Sequence, residues 1–124
     1  MTLVPQQTEK NLPSLDYIAG IVSCHGNFGW TPRGKNSSPF FQIKIHQSET
    51  DLLKLIKTKL GLKEKIYKYN HNGRKYSMIK IHRKQILEGV IIPTFNFRLF
   101  GKKQRQFEQW QKQSYQFWLS KLYS

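Results

Sequence analysis

The sequence predicts an α+β domain whose elements run α-β-β-α-β-β-α, an antiparallel sheet with helices on one face and an extra helix at the C-terminus. Three observations carry the prediction. Apolar residues recur at helical spacing from Leu15 to Val22 and again from Leu52 to Leu60. Phe41, Ile43 and Ile45 alternate with Gln42, Lys44 and His46, the period of a half-buried strand. Asn72-Gly73, the strongest short hairpin signal, separates two further strand-like runs.

Residues 1–13 carry Pro5 and Pro13 among polar spacers without periodicity, and read as an extended arm ahead of a single domain over 14–124. Ser14 is placed to cap a first helix, with Asp16 in the first turn where its charge suits the helix dipole. That helix should end near Gly26. A strand is expected from His25 to Arg33, with Phe28 and Trp30 on one face and Asn27 and Thr31 on the other. A loop and the Phe41–Ile45 strand follow. Ser48 and Asp51 have the spacing of a capping box for a second helix, which Gly61 should terminate. The hairpin is expected as Lys65 to Asn70, a turn at His71-Asn72-Gly73, and Lys75 to His82. A short third helix is expected from Arg83 to Gly89, then an apolar, proline-interrupted connection from Ile91 to Phe100. The terminal helix, 102–122, should bury Phe107, Trp110, Tyr115, Phe117, Trp118 and Leu122 on a broad face.

Composition narrows the partner. The 124 residues hold 21 Lys plus Arg against 7 Asp plus Glu, a formal net charge of +14. Such a charge is too basic for a typical metabolic enzyme and points to a polyanion, because neutralising phosphates releases their condensed counterions. One cysteine excludes a disulfide framework and a cysteine-rich zinc module. No apolar run approaches the roughly 20 residues that span a bilayer, so no membrane partner is expected. Lysine outnumbers arginine 16 to 5 and the single alanine is Ala19, as codons drifting toward A and T would produce. No import sequence is visible in Met1 to Pro13. The expected location is an organelle, the mitochondrial matrix first and the chloroplast second.

The stretch Tyr17-Ile18-Ala19-Gly20-Ile21-Val22-Ser23-Cys24-His25-Gly26-Asn27-Phe28 resembles the signature helix and exit of the LAGLIDADG homing endonucleases, with Ala19-Gly20 and Gly26 on the motif's small positions. Phe40-Phe41-Gln42-Ile43 before a helix, and the Lys75 to His82 strand before another, match the family's later rhythm. The resemblance covers roughly residues 14 to 110. It implies a LAGLIDADG-endonuclease-like fold in which two signature helices, from two subunits or two halves of one chain, pack together above sheets that lie on duplex DNA. Ala19, Gly20, Ser23 and Cys24 would then form the helix-packing interface, facing a second copy or another protein. Packing in the chain's own core accounts for small residues at this spacing equally well.

The resemblance also implies that cleavage uses an acidic residue at the foot of each signature helix to hold a divalent metal. His25 stands at that position and Ser23 at the family's earlier acidic one. A hard cation prefers carboxylate oxygen, and neutral imidazole is a poor magnesium ligand. Asp16 lies about 13 Å up the helix, and Glu9, Glu49, Asp51, Glu64, Glu88 and Glu108 fall on the arm, helix starts, strand edges or outer helices. No catalytic residue, metal or cofactor is therefore expected. His25 reads as a structural or phosphate-contacting residue, with a general-base role paired to Asn27 as the alternative, and Cys24 reads as a small buried side chain.

What remains is a surface. The sheet face turned away from the helices should carry Asn27, Thr31, Gln42, Lys44, His46, Lys68, Lys80 and His82, with lysines for phosphates and amides for bases or sugars. Arg33, Lys35 and Arg74 are expected in loops beside it, and Lys102, Lys103 and Arg105 form a second basic cluster. The expected function is a non-catalytic RNA-binding protein descended from an endonuclease, held in a mitochondrial ribosome or a similar ribonucleoprotein. The alternatives are a group I intron maturase and a homodimeric DNA endonuclease, and a sequence-specific DNA-binding regulator fits the basic face as well.

Overall fold

The computed structural model describes residues 12–32 and 37–122. Helix α1 spans Leu15–His25, and Ser14 caps it as expected, its Oγ accepting from the Tyr17 amide at 3.1 Å. Strands β1 (Gly26–Trp30) and β2 (Pro39–His46) follow, then a 3-10 turn at Gln47–Glu49 and helix α2 (Thr50–Leu60). Gly61 ends α2 with φ 68°, a left-handed conformation that glycine adopts without strain. Strands β3 (Ile66–His71) and β4 (Arg74–Ile81) form the hairpin. A helical run then passes through α3 (Lys84–Ile86), a π turn (Leu87–Ile91) and α4 (Ile92–Phe95) before the long α5 (Gly101–Leu122).

The four strands pair antiparallel in the order β1-β2-β4-β3. Strand alternation sorts their residues onto two faces. Phe28, Phe41, Ile43, Ile45, Ile79 and Ile81 point to one face and are buried there with Ile18, Ala19 and Val22 of α1 and Leu53, Ile56 and Leu60 of α2. Phe28 sits among rings, with centroids 5.1 Å from Phe41, 5.0 Å from Phe107 and 5.2 Å from Trp110. Large aromatic side chains from strands and terminal helix thus fill one core.

Several expectations need correction. The first strand begins at Gly26, because His25 completes α1, and is regular to Trp30; the Thr31 amide continues the pairing to the Ser38 carbonyl, but its hydroxyl accepts from the Ser38 amide. The Ser48–Asp51 capping box does not form. His46 Nδ1 accepts from the Ser48 amide at 3.1 Å, and the Ser48 hydroxyl lies 2.9 Å from the same nitrogen. Thr50 starts α2 instead, its hydroxyl donating to the Gln47 carbonyl and lying 2.7 Å from Ser77 Oγ in the core. The segment expected as a connection after Ile91 is helical to Phe95. Pro93 carries no N–H, and it lies in the first turn of α4 directly after the widened π turn. On α5, Phe107, Trp110, Ser114 and Trp118 are buried on one side, whereas Tyr115 is exposed because it lies off that side and Leu122 because it lies past the last buried residue.

The free edge of β1 is covered rather than open. Trp110 Nε1 donates to the Gly29 carbonyl at 3.0 Å and Lys103 Nζ to the Gly26 carbonyl at 2.7 Å, so α5 occupies the side of the strand where another chain could pair.

Candidate nucleic-acid interface

The other face of the sheet is turned away from the core, and register determines what it presents. Asn27, Gln42 and Lys80 lie in one row across β1, β2 and β4. Lys44, Met78 and Tyr67 form a second row and His46, Tyr76 and Tyr69 a third, with Arg74 opposite His71 beside the hairpin turn. None of these residues is acidic.

Cations on this face rest against rings. Lys80 Nζ is 4.1 Å from the Phe40 ring centre and Lys44 Nζ 4.5 Å from that of Tyr76, so each ammonium is held by a ring quadrupole, Lys44 exposed and Lys80 half-buried. Phe40 is buried on this otherwise open face because Gly29, its partner on β1, has no side chain. A Cβ there would stand 2.7 Å from Phe40 Cζ. His82 packs its ring 6.1 Å from the same phenyl, and its pKa is lowered by desolvation first and by the Lys80 charge second.

Of the residues expected on the open face, Asn27, Gln42, Lys44, His46 and Lys80 are brought together there. Asn27 Oδ1 also accepts from Gln106 Nε2 of α5 at 3.1 Å. Lys68 is corrected: it pairs with Ser77, which pairs with Ile45, and so points to the helix side. It is nonetheless exposed, because the helices stop short of the outer hairpin, where Ile66 alone of β3 is half-buried. Thr31 and His82 lie just beyond strand ends, and Arg74 is a strand residue, not a loop residue. Arg33 and Lys35, like most of the expected arm, lie outside the described residues. In the second basic cluster, Lys102 and Arg105 are exposed, but Lys103 is spent on Gly26 and on Gln106 Oε1 at 2.9 Å, and burial lowers its pKa.

Tyr67, Tyr69, Tyr76 and Met78 were not expected here. The signal was present: the two-residue turn Asn72-Gly73, with φ of 53° and 79°, fixes His71 opposite Arg74, and counting back pairs Tyr69 with Tyr76 and Tyr67 with Met78.

The foot of α1 borders two clefts. One, of about 790 Å³, is lined by His25, His46, His71, Lys44, Arg74 and Tyr76 among others. The other, of about 290 Å³, brings His25 beside His46, Tyr17 and Glu49. Glu49 is therefore nearer this foot than its position at a helix start suggested. Even so, the donor set does not suit a hard divalent cation. No three His, Cys, Asp or Glu residues are grouped to hold a metal among the described residues, and Ser23 turns its hydroxyl back to the Ala19 carbonyl at 2.8 Å. Asp16, at the far end of α1, pairs with Arg98 at 3.3 Å.

Of the four expected helix-packing residues, Ala19 is buried in the chain's own core, so its place in an intermolecular seam is corrected. Gly20 faces open space, with nothing within 4 Å of a Cβ built there. Ser23 is half-buried, and Cys24 is exposed rather than buried.

The family model for LAGLIDADG endonucleases matches residues 18–114. A search of curated proteins finds no match. Among solved structures, the homing endonuclease I-GzeII in complex with its DNA target shares 26% identity at a TM-score of 0.77, over 90% of this chain and 38% of that one. I-LtrWI bound to target DNA shares 25% identity at 0.67, over 79% and 35%. The meganuclease I-SmaMI bound to uncleavable DNA is 21% identical at 0.75, over 90% and 39%, a likeness of fold. The chain thus spans about two fifths of the length of the structures it matches.

Proposed function

The chain belongs to the LAGLIDADG endonuclease family, and from that membership we propose that it is a non-cleaving nucleic-acid-binding protein, with RNA in an organellar ribosome or similar ribonucleoprotein as its partner. The observation that carries the binding is the open sheet face, where Lys44, Lys80, Arg74, Gln42 and Asn27 lie on one side with no acidic residue at its strand positions. Its cations suit phosphates and its amides suit base edges or sugars. Loss of cleavage follows from His25 and Ser23 at the positions where the family's catalytic acids are implied. The lysine-rich charge of +14 supports a densely phosphorylated host such as ribosomal RNA, in the mitochondrial matrix or the chloroplast. The uncovered stripe of α1 at Gly20 and Cys24 is assigned to a second copy or to another protein of the particle.

One observation favours a second reading: I-GzeII and I-LtrWI are bound to DNA. In that reading the chain serves duplex DNA as one half of a paired binder. The test is titration of labelled structured RNA and duplex DNA at several salt concentrations, with incubation of the duplex in Mg²⁺. Tighter RNA binding, an affinity that falls steeply with salt, and intact DNA are expected. Cosedimentation of the native protein with a ribosomal subunit through high salt, lost on RNase treatment, checks the host. Cleaved DNA overturns the non-cleaving reading, and migration as a free dimer overturns the ribosomal one.

A further inference from the structure

The open face carries more aromatic surface than phosphate binding calls for. Tyr69 and Tyr76 are directly opposed on β3 and β4, their rings stacked with centroids 5.2 Å apart and planes 25° from parallel. Tyr67 continues the cluster 6.4 Å from Tyr69. Tyr67 is 50% exposed and Tyr69 38%, on the face turned away from the core. Cations surround the rings: Lys44 over Tyr76, Lys65 Nζ 5.8 Å from the centre of Tyr67, and exposed Arg74 at the hairpin end.

We infer that Tyr67, Tyr69 and Tyr76 form a stacking platform for unpaired bases, so that the face takes a single-stranded or looped segment of nucleic acid. The inference rests on the nucleic-acid reading above and narrows its target. In a fully paired helix the bases already stack on one another and offer a protein only their edges. A phosphate contact to such a helix needs a tyrosine hydroxyl, not a set of neighbouring ring faces. Unpaired bases have free π-faces and stack on aromatic side chains whatever their identity. Lys44, Lys65 and Arg74 are placed to take the phosphates that flank such bases, and the absence of acid among the strand residues of this face removes repulsion.

The test uses the full chain and three labelled probes, an RNA hairpin with an unpaired loop, single-stranded oligouridine, and a fully paired RNA duplex, read by fluorescence anisotropy. A 2-aminopurine in the hairpin loop reports stacking by quenching. The hairpin and oligouridine are expected to bind more tightly than the duplex. Tyr67→Leu and Tyr69→Leu should each weaken binding of the unpaired probes about tenfold and abolish the quench, with duplex binding unchanged. Tyr67→Phe and Tyr69→Phe keep the ring and should bind as wild type, and thermal melts confirm that the variants are folded. Lys44→Ala should weaken all three probes. Leucine variants that bind the unpaired probes as wild type, or a wild-type preference for the duplex, would overturn the platform while leaving the nucleic-acid reading in place. Failure to bind any probe would overturn both.

Discussion

Lys103 Nζ donates to the carbonyl oxygen of Gly26 at 2.7 Å and so ties the start of α5 to the foot of α1, 77 positions earlier in the chain. A lysine inside a basic cluster of the sequence is therefore a structural bolt. Lys103→Met keeps much of the apolar stem and removes the donor, and should lower stability by about 1.5 kcal/mol in urea unfolding. The salt slope of nucleic-acid binding should not change, whereas loss of a phosphate contact would reduce it by about one.

Two glycines of the signature segment should respond in opposite senses to alanine. At Gly26 a Cβ would stand 2.6 Å from Val22 Cγ1 and 2.8 Å from the Val22 carbonyl oxygen, which is helix backbone and cannot turn aside. Gly26→Ala should cost about 1–3 kcal/mol. At Gly20, inside α1, a Cβ meets nothing within 4 Å, and Gly20→Ala should stabilise the monomer by up to about 1 kcal/mol through helix propensity. Urea melts of both variants at low protein concentration check the pair. If a second copy packs on this stripe, the gain at Gly20 should shrink as concentration rises.

Phe28 is the ring through which β1, β2 and α5 share a core, 3% exposed and in contact range of Phe41, Phe107 and Trp110. Phe28→Ala should destabilise by about 3–5 kcal/mol, and Phe28→Leu by less, because it leaves a smaller cavity. Calorimetric melting temperatures rank the two.

Acid should weaken the fold in two stages. Desolvation, then Lys80, lower the pKa of His82, so the unfolded chain takes up a proton at about pH 6.5 while the folded chain resists it until lower pH. The unfolded state then binds more protons, and stability falls as pH drops below about 6.5. Glu64, held below the usual carboxylate range first by its hydrogen bonds from Arg83, contributes stability that is present above about pH 4.5 and lost as pH falls toward its folded-state pKa. His82→Gln should flatten the first stage and Glu64→Gln the second in urea midpoints measured against pH.

Local chemistry made most of the elements legible. Ser14 before an apolar helical period, Gly61 after one, and Asn72-Gly73 between two alternating runs are decisions taken within a few residues, and each is realised in the structure. The capping box failed because His46, two residues before Ser48, offers a ring nitrogen to the same amide. The reading of a connection after Ile91 failed because Pro93 argues against a helix interior yet is tolerated in a first turn.

By itself the sequence determined the α+β order, the family resemblance, the presence of Ser23 and His25 where that resemblance implies acids, and the cationic, amide-bearing character of β2. Only the tertiary structure decided which residues share the open face. Lys68 went to the helix side and Tyr67, Tyr69 and Tyr76 to the open one, because strand faces alternate with a period of two and a single step of register exchanges them. Only packing at a distance decided that Lys103 is bound to Gly26, that Ala19 is internal while Gly20 and Cys24 are not, and that Glu49 comes to the foot of α1. Those pairings depend on where helices land on the sheet, which residues far apart in the chain settle together.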